Sequence, residues 1–346
     1  FLAYGGVASN YLKVTDFIKE DDKISGVKLL DTLNGEKLIA KAKCVINATG
    51  IFSDNLRKLD DERSIKVIKW AQGIHLVIDK EFFPGNSSLL VPKTKDGRVL
   101  FFVPWHNKVL CGTTDTPVDK EDYEPSALLS EINFVLDTAN QYIDKKINIS
   151  DIKSIYTGIR PLVMDGHEST AKVARDDKKF ISKSGLVTIA GGKWTTYRKM
   201  GETTIDFAIS NSLLKKAPSK TAHLKLYGYL SRNETNKVPE EYRVYGSDYY
   251  NLINMPNFNN KLSNKLSINE AQIEFAIKYE QALTVDDMLA RRSRSLFLDS
   301  KEALQIAPKV ARIMANILGK STTWEEEQIS SFNKIAKQYT INNYCN

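Results

Sequence analysis

The first 50 residues carry short alternating runs of apolar and polar positions. Residues 13–18 and 24–30 alternate with a period of two, and Asp21 and Asp22 lie between them. This pattern predicts two strands joined by a turn. Residues 45–50 form a mostly apolar run that ends at glycine, which is typical of a strand buried on both faces in a parallel sheet.

A second pattern begins near residue 73. A helix is predicted to begin near Pro125, because apolar residues recur at helical spacing from Leu128 to Ile143. Short strand-like runs surround it, with a turn predicted at 96–97. The predicted strands are 73–78, 88–92, 99–104, 109–112 and 152–158. This region is therefore predicted to be an antiparallel sheet covered by a helix, an α+β arrangement.

The pattern changes back after residue 184. Residues 186–190 predict a buried strand, Gly191 and Gly192 a tight turn, and Thr195 the start of a helix. A strand, glycine turn and helix in this order present backbone N–H groups to an anionic or electron-rich ligand.

The chain from about residue 212 is predicted to be helical, after an Asn- and Ser-rich loop at 251–268. Gly319 is a predicted helix end. Three sequence pairs resemble capping boxes that begin helices. These pairs are Thr284 with Asp287, Asp299 with Glu302, and Thr323 with Glu326.

Composition adds few constraints. A length of 346 residues suggests two or three domains. Cys44, Cys111 and Cys345 are odd in number and far apart, so we predict free thiols rather than a disulfide framework or a zinc site. The net charge of +7 permits attraction to an anionic substrate or an anionic membrane surface and establishes neither. Because the cations are scattered and no nucleic-acid motif occurs, we predict no nucleic-acid partner.

The candidate ligand site lies at two strand ends, 47–50 and 190–193. Ligands bind at the carboxyl ends of parallel strands in open α/β sheets, and small residues allow a flat cofactor to approach. The alternative interpretation is that both segments are ordinary turns at the ends of strands and bind no ligand. No two glycines are separated by a single residue, so the dinucleotide fingerprint G-x-G-x-x-G does not occur in this chain.

Four cations lie near these turns: Arg160, Arg175, Lys193 and Arg198. Arginine binds phosphate or carboxylate through paired hydrogen bonds. The alternative for each of these four residues is a solvated surface cation that binds no ligand.

His75 lies between apolar neighbours in a predicted strand. It is either a satisfied core residue or a base, since the ordinary histidine pKa of about 6.5 suits chemistry near neutral pH. His106 and His167 lie in polar turns, where we expect solvated side chains. No histidine has metal-ligand spacing, and no metal site is predicted.

Five segments together identify a resemblance. In chain order they are 47–50 (NATG), 112–117 (GTTDTP), 158–162 (GIRPL), 190–200 (AGGKWTTYRKM) and 290–294 (ARRSR). They resemble the motifs of the FAD-dependent glycerol-3-phosphate dehydrogenases, from about residue 10 to about residue 340.

The resemblance implies a fold and a domain order. The fold is α/β plus α+β, with an FAD-binding domain of the D-amino-acid-oxidase type interleaved with an antiparallel-sheet substrate domain and followed by a helical domain. Residues 1–72 and 184–211 would belong to the FAD-binding domain. Residues 73–183 would form the substrate-binding sheet domain, and residues 212–346 the helical domain.

The resemblance also implies an activity and residue roles. Sn-glycerol 3-phosphate would be oxidised to dihydroxyacetone phosphate by hydride transfer from C2 to FAD, with electrons passed to quinone. His75 would be the base. Arg160, Arg175 and Lys193 would bind substrate, with Arg160 and Lys193 also in the catalytic set. The residues expected to bind FAD are Ala48, Thr49, Gly50, Gly191, Gly192, Lys193 and Thr195.

The N-terminal fingerprint and an early arginine segment of that family do not occur here. We therefore expect a truncated chain that binds FAD poorly by itself. The alternatives are a non-catalytic anion-binding homologue or fragment without flavin, a glycerophosphate oxidase that uses O₂, and a flavoenzyme for another substrate. The expected location is cytoplasmic, peripheral on the inner face of the cell membrane. A homodimer is a possible oligomeric state.

Overall fold

The computed structural model describes residues 1–94, 97–164 and 176–344. Within these residues the chain forms twelve strands and nine α-helices. The strands are β1 (Leu12–Glu20), β2 (Lys23–Asp31), β3 (Lys37–Lys41), β4 (Ile46–Asn47), β5 (Ile68–Asp79), β6 (Leu89–Val91), β7 (Leu100–Trp105), β8 (Lys108–Gly112), β9 (Thr116–Val118), β10 (Ser154–Val163), β11 (Asp177–Ile181) and β12 (Val187–Gly191). The helices are α1 (Ser53–Asp60), α2 (Leu129–Ala139), α3 (Tyr197–Ser210), α4 (Arg232–Thr235), α5 (Tyr249–Leu252), α6 (Glu270–Glu280), α7 (Ser295–Leu298), α8 (Ser300–Leu318) and α9 (Thr322–Ala336).

The first compact unit comprises Phe1–Gln72, Asp115–Asp122 and Ile159–Leu224. It contains the antiparallel sheet β1-β2-β3 and a second sheet in the order β11-β12-β4. β12 pairs parallel with β4, with Thr188 opposite Asn47, so both strands end at the same edge. Strand β9 pairs with the start of β5. The carboxyl ends of β4 and β12 are therefore neighbours, as the α/β interpretation requires.

The second compact unit comprises Gly73–Thr114, Tyr123–Gly158 and Lys225–Asn346. Its antiparallel strands run in the order β10-β5-β8-β7-β6, and helix α2 contributes to their core. The helices α6, α8 and α9 form a second core. Two buried serines join these parts, because Ser154 Oγ donates to Leu296 O and Ser300 Oγ donates to Lys153 O, both at 2.8 Å. Ile341 also packs in the core of the sheet.

The two units differ from the predicted domain order after residue 72. Residues 115–122, 159–164 and 176–183 lie with the first unit, and the helices pack in one unit with the sheet. The sequence could not indicate this second point, because it depends on the contacts of Ile341 and the two serines across the chain. The division into cofactor, substrate and helical domains stays a prediction.

Several element boundaries also differ from the predictions. The predicted strand 45–50 is only the two-residue β4, since Asn47 turns its side chain to the loop that follows. The strand predicted to end at 158 continues through Pro161 to Val163. Because β10 lies at the edge of its sheet, the missing proline N–H removes no central ladder bond.

The predicted helix starts have mixed outcomes. The pair Thr284 and Asp287 exchanges both capping hydrogen bonds, but it begins a π-helix, Asp287–Arg292. Gly319 ends α8 in the left-handed conformation, as predicted. Helix α9 is capped by Ser321 rather than Thr323, so that prediction is wrong by two residues.

Asp60 gives a stability prediction for the first unit. Its side chain is 1% exposed and pairs with Lys19 at 2.9 Å, while Ser184 donates to it at 2.6 Å. Burial opposes its ionisation, but the hydrogen bonds from the serines at 182 and 184 and from Lys19 hold the pKa of Asp60 below its ordinary value. Its ionised form therefore contributes stability above the unfolded pKa, which is lost as the pH falls through the folded pKa.

We expect Asp60→Asn to lower the free energy of unfolding at pH 7 by about 1.5–3 kcal/mol, the range for hydrogen bonds to charged groups. Urea unfolding at pH 7 and below pH 4 measures this, and the difference should shrink at the acidic pH. Asp61→Asn is the matched control, since Asp61 forms its ion pair with an exposed residue, Arg63. Equal effects of D60N at both pH values would contradict the assignment.

Candidate functional site

A buried asparagine organises the loop after β4. Asn47 is 4% exposed, and its Nδ2 donates to Ser53 O at 2.9 Å and to Thr188 Oγ1 at 3.3 Å. Its Oδ1 accepts from Thr49 Oγ1 at 2.7 Å. These contacts fix the loop to β12 while Ala48 and Thr49 stay exposed and Gly50 takes a φ of +60°. The loop therefore offers a small-residue surface at the edge where both strands end.

The glycine pair after β12 requires glycine at both positions. Gly191 and Gly192 have φ values of +77° and +82°, a region that side chains disfavour. A Cβ atom at Gly191 would lie 2.8 Å from Asp176 O, and one at Gly192 would lie 2.5 Å from the Met200 side chain. The backbone can turn sharply here and leave a surface that a flat ring system can approach.

Arg160 projects from β10 in the first unit. Its Nη1 lies 3.3 Å from Asp115 Oδ1, and the two side chains are 28% and 15% exposed. Asp115 directly precedes β9, which pairs with β5. The ion pair therefore restrains a partly buried guanidinium, the group best suited to bidentate contact with phosphate or carboxylate.

Arg160, the glycine pair and Lys193 line one cleft of about 350 Å³. Lys193 is exposed, and its carbonyl oxygen accepts from Thr196 N and Oγ1, both at 3.0 Å. Within the described part of the chain no acidic side chain pairs with Lys193 Nζ. Two cations thus line a cleft whose remaining walls include Leu162 and Trp194, an arrangement suited to a small anion.

An exposed aromatic pair follows Lys193. Trp194 is 85% exposed and stacks on Tyr197 with 5.4 Å between ring centroids. Trp194 to Thr196 form a 3-10 turn before α3 begins at Tyr197, so the predicted helix starts two residues later than expected. Thr195 is exposed in this turn. Arg198, predicted near the turns, instead bonds Glu202 and Thr221.

His75 belongs to the second unit, on β5. Its ring stacks on Tyr156 with centroids 5.1 Å apart and planes 14° from parallel. Opposite it on β8 is Gly112, where an added Cβ would lie 2.6 Å from His75 Cδ2. The imidazole is thus held closely by its neighbours on β10 and β8, which fixes the ring.

Tyr156 connects His75 to an aromatic row. Its ring meets Phe297 edge-on at 5.1 Å, and Phe297 meets Tyr339 at 5.5 Å. Burial raises the pKa of Tyr156 to about 12, so its hydroxyl stays protonated at neutral pH.

Other predicted residues have different outcomes. Arg175 and His167 lie outside the described residues, as does Cys345. Cys111 is buried and Cys44 half-buried, both as free thiols, as predicted. His106 was predicted to be solvated, but it is half-buried against Trp105.

Three residues described above, Asp115, Tyr156 and Gly112, were not predicted from the sequence. Sequence reasoning gave them no role, although Asp115 and Gly112 lie in the segment 112–117.

Across the described ranges no cluster of His, Cys, Asp or Glu is arranged to hold a metal ion. No helix in those ranges is long and apolar enough to cross a bilayer.

Comparison with known families covers nearly the whole chain. The family of FAD dependent oxidoreductases matches residues 1–198, and the C-terminal domain of alpha-glycerophosphate oxidase matches residues 189–328. Curated relatives include the mitochondrial glycerol-3-phosphate dehydrogenases of Bos taurus, 35% identical over 96% of this chain, and of Homo sapiens, 34% identical over 96%. The chain spans about half the length of these relatives, 49% in both cases.

A solved structure supports the same fold. The glycerol-3-phosphate dehydrogenase of Bacillus halodurans, complexed with FAD, matches with a TM-score of 0.82 and 28% identity. The match covers 98% of this chain and 71% of that one. The predicted FAD-binding fold with sheets and a C-terminal helical domain is therefore confirmed. The strand ends, the glycine turn and these matches agree, and the chain belongs to the family of FAD dependent oxidoreductases, with residues 189–328 similar to the C-terminal domain of alpha-glycerophosphate oxidase.

Proposed function

We propose that the protein to which this chain belongs oxidises sn-glycerol 3-phosphate to dihydroxyacetone phosphate with FAD as cofactor. The observation that carries the proposal is the cleft where Arg160, the glycine pair and Lys193 meet. The names of the relatives from cattle, human and Bacillus halodurans supply the substrate.

The phosphate of the substrate would be bound by the cations of this cleft. Arg160 offers the planar fork that matches phosphate geometry, and its pairing with Asp115 at 3.3 Å limits its rotation. Lys193 adds a second, exposed positive charge. Arg175 is proposed as a third substrate cation on the basis of the resemblance alone.

The residues at the two strand ends suit part of an FAD. Gly191, Gly192, Lys193 and Thr195 would line the ring system, and Ala48, Thr49 and Gly50 would lie on the adenosine side. Their support is the turn that no side chain can occupy and the exposed small residues beside it. When bound, FAD supplies a hydride acceptor for C2 of the substrate.

His75 is the proposed base that takes the proton of the C2 hydroxyl. Its support is the fixed ring between Tyr156 and Gly112, because a positioned imidazole transfers protons efficiently near neutral pH. The proton leaves the oxygen of the C2 hydroxyl as the hydride leaves C2 itself, so the product is the ketone.

The partners are proposed from the resemblance. Electrons would pass to quinone rather than O₂, at a membrane surface that the protein contacts peripherally, and two copies would form a homodimer. The net charge of +7 supports attraction to anionic lipid. The cytoplasmic face of the cell membrane stays a prediction, since relatives are mitochondrial proteins.

Dye reduction by the full-length, FAD-loaded protein tests the proposed substrate. Glycerol 3-phosphate should support turnover, whereas glycerol, which lacks the phosphate that Arg160 and Lys193 would bind, should lower kcat/KM by about 10³-fold or more. Equal turnover with glycerol would remove the role of the cationic cleft. No turnover with either compound would contradict the proposed activity.

A further inference from the structure

The segment 290–294 is not used by the proposed function, and its arginines have different surroundings. Arg291 forms ion pairs with Asp286 and Asp287. Arg292 donates from Nε and Nη2 to the carbonyl oxygen of Glu280, at 3.0 and 2.6 Å. Both are therefore structural contacts within the second unit. Arg294 has a different environment.

Arg294 is half-buried and directly follows the π-helix Asp287–Arg292 and Ser293. Its φ of +57° is uncommon for a residue with a side chain. Its guanidinium makes no hydrogen bond or ion pair to any of the residues that the structure describes. A partly buried charge without a partner is costly, and π-helical turns and strained residues are frequent at functional sites.

The side chain of Arg294 lines a cavity of about 360 Å³ that is separate from the cleft of Arg160. Further cationic or basic side chains line the same cavity. These are Lys80, Lys108, Lys265, Arg292 and His106. A cavity of this size holds a small molecule, and its lining favours a negative charge.

The pairing of these groups shows which cations are available. Lys108 pairs with Asp79 at 2.5 Å and Lys265 with Glu302 at 3.1 Å. Lys80 donates to the neutral Asn86, at 3.0 Å, and has no acidic partner within the described ranges. The acidic lining residues, Glu240 and Glu241, are exposed, and neither is within ion-pair distance of Arg294. Arg294 and Lys80 therefore line the cavity without an ion-paired acidic side chain among the described residues. Burial raises the pKa of the Glu280 carboxyl group, and the nearby Arg292 and Arg294 oppose that rise, so Glu280 is an acidic neighbour of Arg294.

We propose that this cavity binds a phosphate group, as inorganic phosphate or as a small phosphate monoester. A tetrahedral dianion accepts hydrogen bonds from several directions, so it can engage the fork of Arg294 and an ammonium group together. A carboxylate has one charge and a planar set of acceptors, and it satisfies fewer of these donors. The site does not depend on the proposed oxidation of glycerol 3-phosphate.

His106 provides a local signal for binding. Its ring lies 5.1 Å from that of Trp105 and lines the cavity. Burial and the neighbouring Arg294 hold the pKa of His106 below its ordinary value, with Glu240 acting in the opposite direction. A bound dianion would offset Arg294, so the imidazole resonance should move.

The test is an NMR titration of the full chain with inorganic phosphate, methyl phosphate and acetate, with the His106 resonance assigned by loss in His106→Gln. Both phosphates should shift the resonance saturably, and acetate should bind more weakly. Arg294→Gln should weaken phosphate binding about tenfold or more. Tighter binding of methyl phosphate would identify a monoester as the ligand, and equal or weaker binding would identify inorganic phosphate.

Three controls accompany R294Q. Arg312→Gln removes an arginine whose side chain is 77% exposed in α8, and it should leave the affinity within about twofold. Arg160→Gln should do the same, which separates this site from the proposed active site. Arg294→Lys keeps the charge but lacks the planar fork, so its affinity for phosphate should be intermediate. It supplies a second test of the site if R294Q impairs folding. The proposal is overturned by the absence of a saturable shift at millimolar phosphate, by unchanged affinity in both Arg294 variants, or by acetate binding equally tightly.

Discussion

Replacing Arg160 by glutamine in the full-length protein is expected to lower kcat/KM for glycerol 3-phosphate by roughly 10²- to 10³-fold. Hydrogen bonds to charged groups contribute about 1.5–3 kcal/mol each, and a bidentate phosphate contact has two of them. Arg160→Lys should recover only part of the activity, since an ammonium group lacks the planar fork. Steady-state dye reduction measures both variants.

The control for Arg160 is Arg198→Gln, because Arg198 bonds Glu202 and Thr221 and does not line the cleft. It should keep kcat/KM within about twofold. Since R160Q leaves Asp115 without its ion pair, thermal unfolding and flavin content must be measured for each variant. A folded, flavin-loaded R160Q with ordinary kcat/KM would show that Arg160 does not bind the substrate.

Replacing His75 by glutamine is expected to lower the rate constant of flavin reduction by about 10²- to 10⁴-fold, the usual contribution of a positioned base. Stopped-flow absorbance under anaerobic conditions measures this step directly. His106→Gln is the matched control, as a half-buried histidine of the same unit, and should reduce flavin at an ordinary rate. A rate constant for H75Q within a few-fold of wild type would exclude His75 as the base.

The neighbours of His75 allow a finer test of positioning. Tyr156→Phe keeps the stacked ring and should react nearly normally, whereas Tyr156→Ala removes one face of the contact. Gly112→Ala would place a methyl group 2.6 Å from His75 Cδ2 and displace the ring. If positioning matters, both displacing variants should slow flavin reduction and alter its pH profile, while Tyr156→Phe alters neither.

The parts of the fold that depend on local chemistry were predictable. Alternation and turn residues indicated β1, β2 and their junction at Asp21 and Asp22, which have φ values of +50° and +61°. The glycine turn after β12 was indicated for the same reason. The length of β10 was not, because a proline within a strand is tolerated only at an edge, and the edge is a property of the assembled sheet.

The candidate site shows the same division. Arg160, Gly191, Gly192 and Lys193 were named from motif segments, and the structure brings them to one cleft. The partner of Arg160 was missed, since Asp115 is 45 positions away in the chain. Tyr156 was missed because its contact with His75 arises only when β10 pairs beside β5. Pairings between distant segments are not visible in a single sequence.

The most direct test of the proposed FAD-dependent oxidation is the flavin absorption spectrum of the full-length protein before and after anaerobic addition of glycerol 3-phosphate. We expect an oxidised-flavin band that bleaches on addition, since hydride transfer from C2 reduces the bound FAD. A flavin band that persists with glycerol 3-phosphate would contradict the proposed substrate, and a full-length protein without any flavin band would contradict the proposed chemistry.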